Sequence, residues 1–157
     1  MIPSSLRPVV LWSALFVLLL FASGSASAQA DRFEKVVPFR IDESLRLDAQ
    51  LGPAKVPTLK ISNLGRGYGR GGRLARNQPS EGSTTLRFAF DVNNPGEDWE
   101  LTFTIELRDK AGKVIDRVTK SENFEEEAKV YNVDHPILEY VVPMIAEVQV
   151  TIRGRLD

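Results

Sequence analysis

Alternation of apolar and polar residues between positions 86 and 107 constrains the fold of this chain more than any other feature of its sequence. In two consecutive runs, every second residue is apolar and the residues between are mostly polar. The apolar positions are Leu86, Phe88, Phe90 and Val92 in the first run, and Trp99, Leu101, Phe103, Ile105 and Leu107 in the second. Because successive side chains of a strand point to opposite faces, this pattern predicts two β-strands, each with one buried face.

Turn residues follow each of these runs. Asn94-Pro95-Gly96 follows the first, where Pro presets the first turn angle and Gly accepts a positive φ. Asp109-Lys110-Ala111-Gly112 follows the second and is typical of a type I turn closed by a bulge. The two turns predict consecutive hairpins, with a returning strand over 114–119.

The rest of the chain divides into shorter strands, loops and one ambiguous element. Five further segments have the residue pattern of short strands: 33–41, 45–51, 58–62, 129–133 and 148–152. Residues 65–83 and 121–127 predict loops, and residues 136–141 fit either a short helix starting at Pro136 or a strand. Seven or eight short strands without long helical segments predict an all-β, antiparallel, immunoglobulin-like sandwich of two sheets.

Residues 1–28 have the pattern of a secretory signal peptide. Arg7 is their only charged residue, and an apolar run over 9–22 is followed by small residues. The run is shorter than the about 20 residues that a membrane-spanning helix needs. We predict cleavage after Ala28 or Ala30, export to the periplasm or the medium, and no permanent membrane anchor after cleavage.

Residues 31–157 have the length of one domain that buries its own core. The sequence contains no Cys, so the domain has no disulfide and no lipid-modified cysteine after cleavage. Because small eukaryotic secreted domains often carry disulfides, this composition favours a bacterial exported protein.

Charge is distributed unevenly along the chain. The formal net charge is −1, yet residues 49–80 contain six Lys or Arg and no Asp or Glu. Residues 81–157 contain 9 basic and 16 acidic residues. This segregation bears more on the choice of partner than the net charge does.

The basic region includes an Arg- and Gly-rich segment inside the predicted loop 65–83. Arginine forms bidentate hydrogen bonds with phosphate and sulfate groups, and glycines leave the backbone free to adapt. Export argues against nucleic acid as the partner. We therefore predict binding of an anionic envelope component or of another envelope protein, with a solvated connection as the alternative. The candidate ligand-binding residues are Arg66, Tyr68, Arg70, Arg73 and Arg76.

The sequence contains no motif that predicts a catalytic residue, a metal ligand set or a cofactor. His135 is the only His and no G-x-S-x-G elbow is present, so neither a Ser-His-Asp triad nor a zinc site has the residues it needs. Residues 91–98 carry oxygen-bearing side chains, but Thr102 stands where a calcium loop needs Glu. The acids at 125–127 are typical of a solvated loop. The Gly-rich segment lacks the Gly-Lys-Ser/Thr ending of a phosphate-binding loop.

Residues 86–94, LRFAFDVNN, and 103–115, FTIELRDKAGKVI, place a strand ending in Asn before a strand that runs into D-x-x-G-x-V. Over residues 86–152 this arrangement resembles the FxLYD-type domain, an immunoglobulin-like sandwich of exported bacterial proteins. The Leu-Tyr-Asp core of that family reads Leu107-Arg108-Asp109 here, without the aromatic residue. The resemblance implies a non-enzymatic extracytoplasmic module, with no catalytic residues to carry over.

These observations predict a non-catalytic exported β-sandwich that acts as a binding or assembly module. One alternative is an envelope polyanion-binding protein that uses the Arg/Gly segment. An alternative from another class is a small carboxylate-based hydrolase, which would need a concave pocket with converging polar groups.

Overall fold

The computed structural model describes residues 31–65, 82–96 and 98–156. Within these ranges the chain forms eight β-strands and one short 3-10 helix, which confirms the predicted all-β class. The elements are β1 (Asp31–Pro38), β2 (Ser44–Leu51), β3 (Ala54–Asn63), β4 (Ser83–Asn94), β5 (Trp99–Arg108), β6 (Val114–Phe124), β7 (Glu127–Leu138), the 3-10 helix (Glu139–Met144) and β8 (Glu147–Leu156).

Two four-stranded antiparallel sheets face each other. One has the strand order β1-β8-β5-β6 and the other β2-β3-β4-β7. The predicted two-sheet sandwich is therefore confirmed. The edge strands β1 and β2 lie on one side of the sandwich, and the edge strands β6 and β7 lie on the other.

The alternating runs form the centre of the sandwich, as the sequence predicts. The apolar face of β4 and the apolar face of β5 are buried, and Phe90 packs on Phe103 with ring centroids 4.6 Å apart. Tyr131 extends this aromatic cluster toward the β7 edge, with its ring centroid 5.1 Å from that of Phe103. These large side chains supply much of the apolar burial that stabilises the fold.

The β4–β5 connection corrects one expectation. Residues 94–96 were expected to close a hairpin, but β4 and β5 belong to different sheets, so this connection crosses the sandwich. Turn residues determine where a chain reverses and not which sheet the next strand joins. The second expected hairpin is confirmed: β5 pairs with β6, and Asp109 Oδ1 accepts hydrogen bonds from the backbone N–H groups of Ala111 and Lys113 at 2.9 Å.

The edge strands β6 and β7 are longer than the sequence predicts. Residues 121–127, expected to be a loop, are mostly strand, because β6 extends to Phe124 and β7 begins at Glu127. Of the two alternatives for residues 136–141, the strand is found up to Leu138, with Pro136 in β7 opposite Thr85, and a 3-10 helix begins at Glu139. On an edge strand the inward side chains reach solvent, so polar residues are tolerated there and the alternation is lost.

Candidate functional site

The five predicted ligand-binding residues, Arg66, Tyr68, Arg70, Arg73 and Arg76, lie outside the described residues. The structure does describe where the chain leaves the sandwich before this segment and where it returns. Gly65 follows β3 and Gly82 precedes β4. We call the end of the sandwich that carries these two glycines the loop end. The β1–β2, β5–β6 and β7–β8 connections lie at the same end.

Asn63 links the exit and the return of the Arg/Gly segment. Its Oδ1 atom accepts a hydrogen bond from the Gly65 N–H at 3.0 Å and another from Thr84 Oγ1 at 2.6 Å. Gly65 and Gly82 have φ values of 71° and 86°, a backbone conformation that favours glycine. The segment is therefore attached to the sheet at two neighbouring, fixed points.

The 3-10 helix places exposed apolar side chains beside the return point. The backbone N–H of Glu139 donates to the carbonyl of Gly82 at 2.8 Å, which joins the helix to the end of the segment. Tyr140 is 70% exposed and Met144 is 53% exposed, and no residue of the helix is buried. Pro143 and the short length restrict this element to a brief 3-10 turn. The loop end thus carries two largely exposed side chains, Tyr140 and Met144, beside the return point of the segment.

Acidic and basic side chains at the loop end differ in their partners. Asp42 accepts from Ser62 Oγ at 3.0 Å, and Glu43 forms an ion pair with Arg40 at 3.3 Å. By contrast, Lys110 and Lys113 form no ion pair with any residue in the described ranges. Two ammonium groups without an ion-pair partner among the described residues therefore lie at the same end as the attached basic segment.

His135 is partly buried between the edge strands β6 and β7. Its Nε2 atom lies 2.9 Å from Asp116 Oδ2, a carboxylate 19 positions away. The adjacent Asp134 points to the opposite face of β7 and binds Arg87 at 2.7 Å. The sequence neighbours His135 and Asp134 thus do not form a dyad.

The β6–β7 side of the sandwich carries further inward-facing polar groups, which we call the edge seam. Lys129 binds Glu127 at 2.7 Å and lies 3.7 Å from Glu122, with its Nζ atom 4.6 Å from the Phe124 ring centroid. Burial, followed by the nearby Glu122 carboxylate, raises the pKa of Tyr131. The edge seam is therefore an ion-paired boundary of the core. Glu127, which the sequence places in an acidic loop, belongs to it.

Asp91 and Asn94, two of the oxygen-bearing residues at 91–98, point to opposite faces of their sheet. Asp91 is exposed on the outer face of its sheet and accepts a hydrogen bond from Thr58 Oγ1. Asn94 points into the core, where its Nδ2 atom donates to the carbonyl of Phe124 at 2.8 Å. Among the described residues, no group of three His, Cys, Asp or Glu could hold a metal ion.

A shallow groove of about 340 Å³ lies on the outer face of the β3-β4-β7 sheet. Pro57 borders it at a point where the β3–β4 register is irregular, between Lys55 and Leu59. The other lining residues are Asp91, Val92, Asn93, Ala128, Lys129 and Val130. Because the groove is open and offers few polar groups, it is a weaker candidate for ligand binding than the loop end.

Sequence reasoning missed Tyr140, Met144 and Asn63 as parts of the candidate site. The exposure of Tyr140 depends on where β7 ends, and the role of Asn63 depends on the pairing of β3 with β4. Both are tertiary properties. The only sequence signal for a fixed attachment is an Asn two residues before the first Gly of the Gly-rich segment.

Comparison with protein-family profiles and with curated proteins finds no match to this chain. Within the described ranges, no helix combines the length and apolar character required to cross a bilayer.

Proposed function

We propose that this protein is a non-catalytic, exported binding module whose ligand is a phosphate-bearing, anionic component of the cell envelope. The observation that carries the proposal is the position of the exposed helix residues Tyr140 and Met144, directly beside the return point of the Arg/Gly segment at Gly82. The signal-like residues 1–28 and the FxLYD-type resemblance support the exported, non-enzymatic part of the proposal.

Charge and apolar contact would act together in this function. The Arg/Gly segment supplies bidentate donors for phosphate oxygens, and Lys110 and Lys113 add positive charge from the β5–β6 hairpin. Tyr140 has the amphipathic character of side chains that favour the headgroup region of a bilayer. A lipid surface would use both sets of residues, whereas a soluble phosphate polymer would use only the basic set.

The test is co-sedimentation of the processed protein with vesicles of phosphatidylglycerol, using phosphatidylcholine vesicles as the uncharged comparison. A basic residue near an anionic membrane contributes about 1 kcal/mol, so simultaneous replacement of the four arginines should weaken binding at least about tenfold. The four-Arg variant is Arg66→Gln, Arg70→Gln, Arg73→Gln and Arg76→Gln. The matched control, with the same charge change on the strands, is Arg32→Gln, Arg46→Gln, Arg153→Gln and Arg155→Gln.

Wild-type binding should weaken with added salt, because screening shortens to about 8 Å at physiological ionic strength. Equal binding by the four-Arg variant and its control would contradict the proposal, as would binding that resists high salt. Competition with soluble polyphosphate separates the two sources of phosphate. The double change Tyr140→Ser and Met144→Ser should reduce binding to vesicles and leave binding to polyphosphate unchanged.

A further inference from the structure

Three of the four edge strands carry residues that hinder further pairing over part of their length. Lys35 of β1 reaches across the sandwich and donates to the carbonyls of Arg46 and Leu47 of β2, at 3.0 and 3.3 Å. Strand β2 is further interrupted by an irregular register and by Asp48, whose φ is 57°. Strand β7 contains Pro136, which offers no N–H group.

Strand β6 has none of these interruptions over most of its length. It contains neither Pro nor Gly, and its register with β5 is unbroken from Phe124 to Asp116. Within the described ranges, no strand pairs with its other edge. Such an edge presents backbone N–H and C=O groups to any strand that approaches in a compatible register.

Inward-facing charges on β6 restrict which strand is compatible. Asp116 is bound by His135, and Glu122 lies near Lys129. Lys120 faces inward opposite the buried Phe103, and it forms no ion pair or hydrogen bond with any described residue. Pairing with another strand desolvates the Lys120 ammonium group, which is unfavourable unless a negative charge lies nearby. A compatible strand must therefore place an acidic residue opposite Lys120.

A second copy of β6 meets this requirement in few registers. When two copies pair antiparallel about a two-fold axis and both sheets continue, inward side chains must lie opposite inward side chains. An axis through Arg117 or Lys120 places that residue opposite itself. An axis through Thr119 places Asp116 opposite Glu122. All three registers oppose like charges, which destabilises a sheet.

An axis through Val118 removes the conflict. It places Lys120 of each copy opposite Asp116 of the other, so two ion pairs form, and it pairs the strands from position 116 to position 120, inside the part of β6 whose register with β5 is unbroken. The Asp116 carboxylate has lone pairs left for this contact, because His135 Nε2 and the Arg117 N–H are its only donors in the described ranges. An axis through Ser121 also opposes Lys120 to an acid, Glu122, but that carboxylate already lies 3.7 Å from the Lys129 ammonium group, whereas Asp116 has no Lys or Arg side chain paired with it in the described ranges.

We infer that β6 is a self-association edge: two copies of this protein pair their β6 strands antiparallel, with Val118 on the two-fold axis and Lys120 opposite Asp116 of the second copy. The two four-stranded sheets that contain β6 then become one continuous eight-stranded sheet. This inference rests on the edge strand alone and is independent of the ligand at the loop end.

Disulfide trapping tests the register, since the chain contains no Cys. Residues opposite each other in an antiparallel pair have Cα atoms about 4.5–5.5 Å apart, within the range that a disulfide spans. We expect Val118→Cys to form a covalent dimer under mild oxidation, whereas Ser121→Cys and the outer-face control Arg153→Cys remain monomeric under denaturing electrophoresis. Preferential cross-linking of Ser121→Cys would overturn the register.

Charge exchange tests the same arrangement without a covalent bond. Light scattering of the wild-type protein should show twice the monomer mass at high concentration. Lys120→Glu should return it to the monomer mass, because Glu then faces Asp116. The double variant Lys120→Glu with Asp116→Lys should restore the dimer, whereas Lys120→Glu with Glu122→Lys should not. A wild-type monomer at millimolar concentration, with no cross-linking of Val118→Cys, would overturn the inference.

Discussion

At the scale of single residues, Trp99 shows how one large side chain fixes its surroundings. The indole of Trp99 is half-buried, packs against the core, and lies over two glycines. A Cβ added to Gly154 would overlap Trp99 Nε1, and one added to Gly52 would lie 2.8 Å from Trp99 Cη2. Glycine is therefore required at both positions to make room for the indole ring.

Removal of the indole or crowding of it should both destabilise the fold. We expect Trp99→Ala to lower the free energy of unfolding by about 3 kcal/mol and Gly154→Ala by about 1–3 kcal/mol. Chemical denaturation measures both. After cleavage of residues 1–28, Trp99 is the only Trp of the chain, so its emission should be blue-shifted in the folded protein.

A double-mutant cycle separates this contact from a general effect on the strand. In a Trp99→Phe background the smaller ring leaves space, so Gly154→Ala should cost less than it does in the wild type. Equal costs in the two backgrounds, or emission typical of exposed Trp, would contradict the packing described for Trp99.

At the scale of the elements, strands with a fully buried face were predictable and the edge strands were not. The alternation over β4, β5 and β8 located these strands because one face of each is removed from water. In β6, the inward positions include Lys120 and Glu122, which only an edge tolerates, so the pattern disappeared. The sheet to which β5 belongs depends on long-range pairing, which local turn residues do not encode.

An ion-pair cluster connects β5 and β6 on their outer face. The hydrogen bond from Arg108 to Glu106 at 2.7 Å, together with Arg117, lowers the pKa of Glu106 against the opposing effect of burial. Because the pKa is lower in the folded state, Glu106 stabilises the protein above its ordinary value of about 4.5, and this contribution is lost as the pH falls through the folded-state pKa.

Glu106→Gln should therefore be less stable than the wild type at pH 7, and the difference should shrink steadily below pH 4.5. Urea denaturation at a series of pH values measures this difference. Glu126→Gln is the charge-matched control, because Glu126 forms no ion pair with the described residues. A difference that stays constant with pH would show that the Glu106 cluster contributes only through packing.

At the scale of the whole molecule, the sandwich separates its two proposed interaction surfaces. The loop end carries the attachment of the Arg/Gly segment and the exposed helix, whereas the free β6 edge lies along one side. The basic residues were recognisable from the sequence because their charge is segregated. The exposed Tyr140 and Met144 near them were not recognisable, because their exposure follows from where β7 ends and the 3-10 helix begins.

Export is the property of the whole chain on which the proposed ligand depends. The apolar run over 9–22 and the small residues after it predict a processed N-terminus at Gln29 or Asp31. Intact-mass measurement of the protein recovered from the cell envelope or the medium should find one of these two termini. A membrane-bound product that retains Met1 would exclude export by this route.

The most direct test of the central claim is an amide NMR titration of the processed protein with polyphosphate. We predict shift changes in residues 66–81 and at the loop end, at Gly65, Gly82 and Lys110, that saturate with ligand and disappear in the four-Arg variant. Shift changes confined to the edge seam, around Lys129 and His135, would contradict the claim that the loop end binds the anionic ligand, as would a spectrum that polyphosphate leaves unchanged.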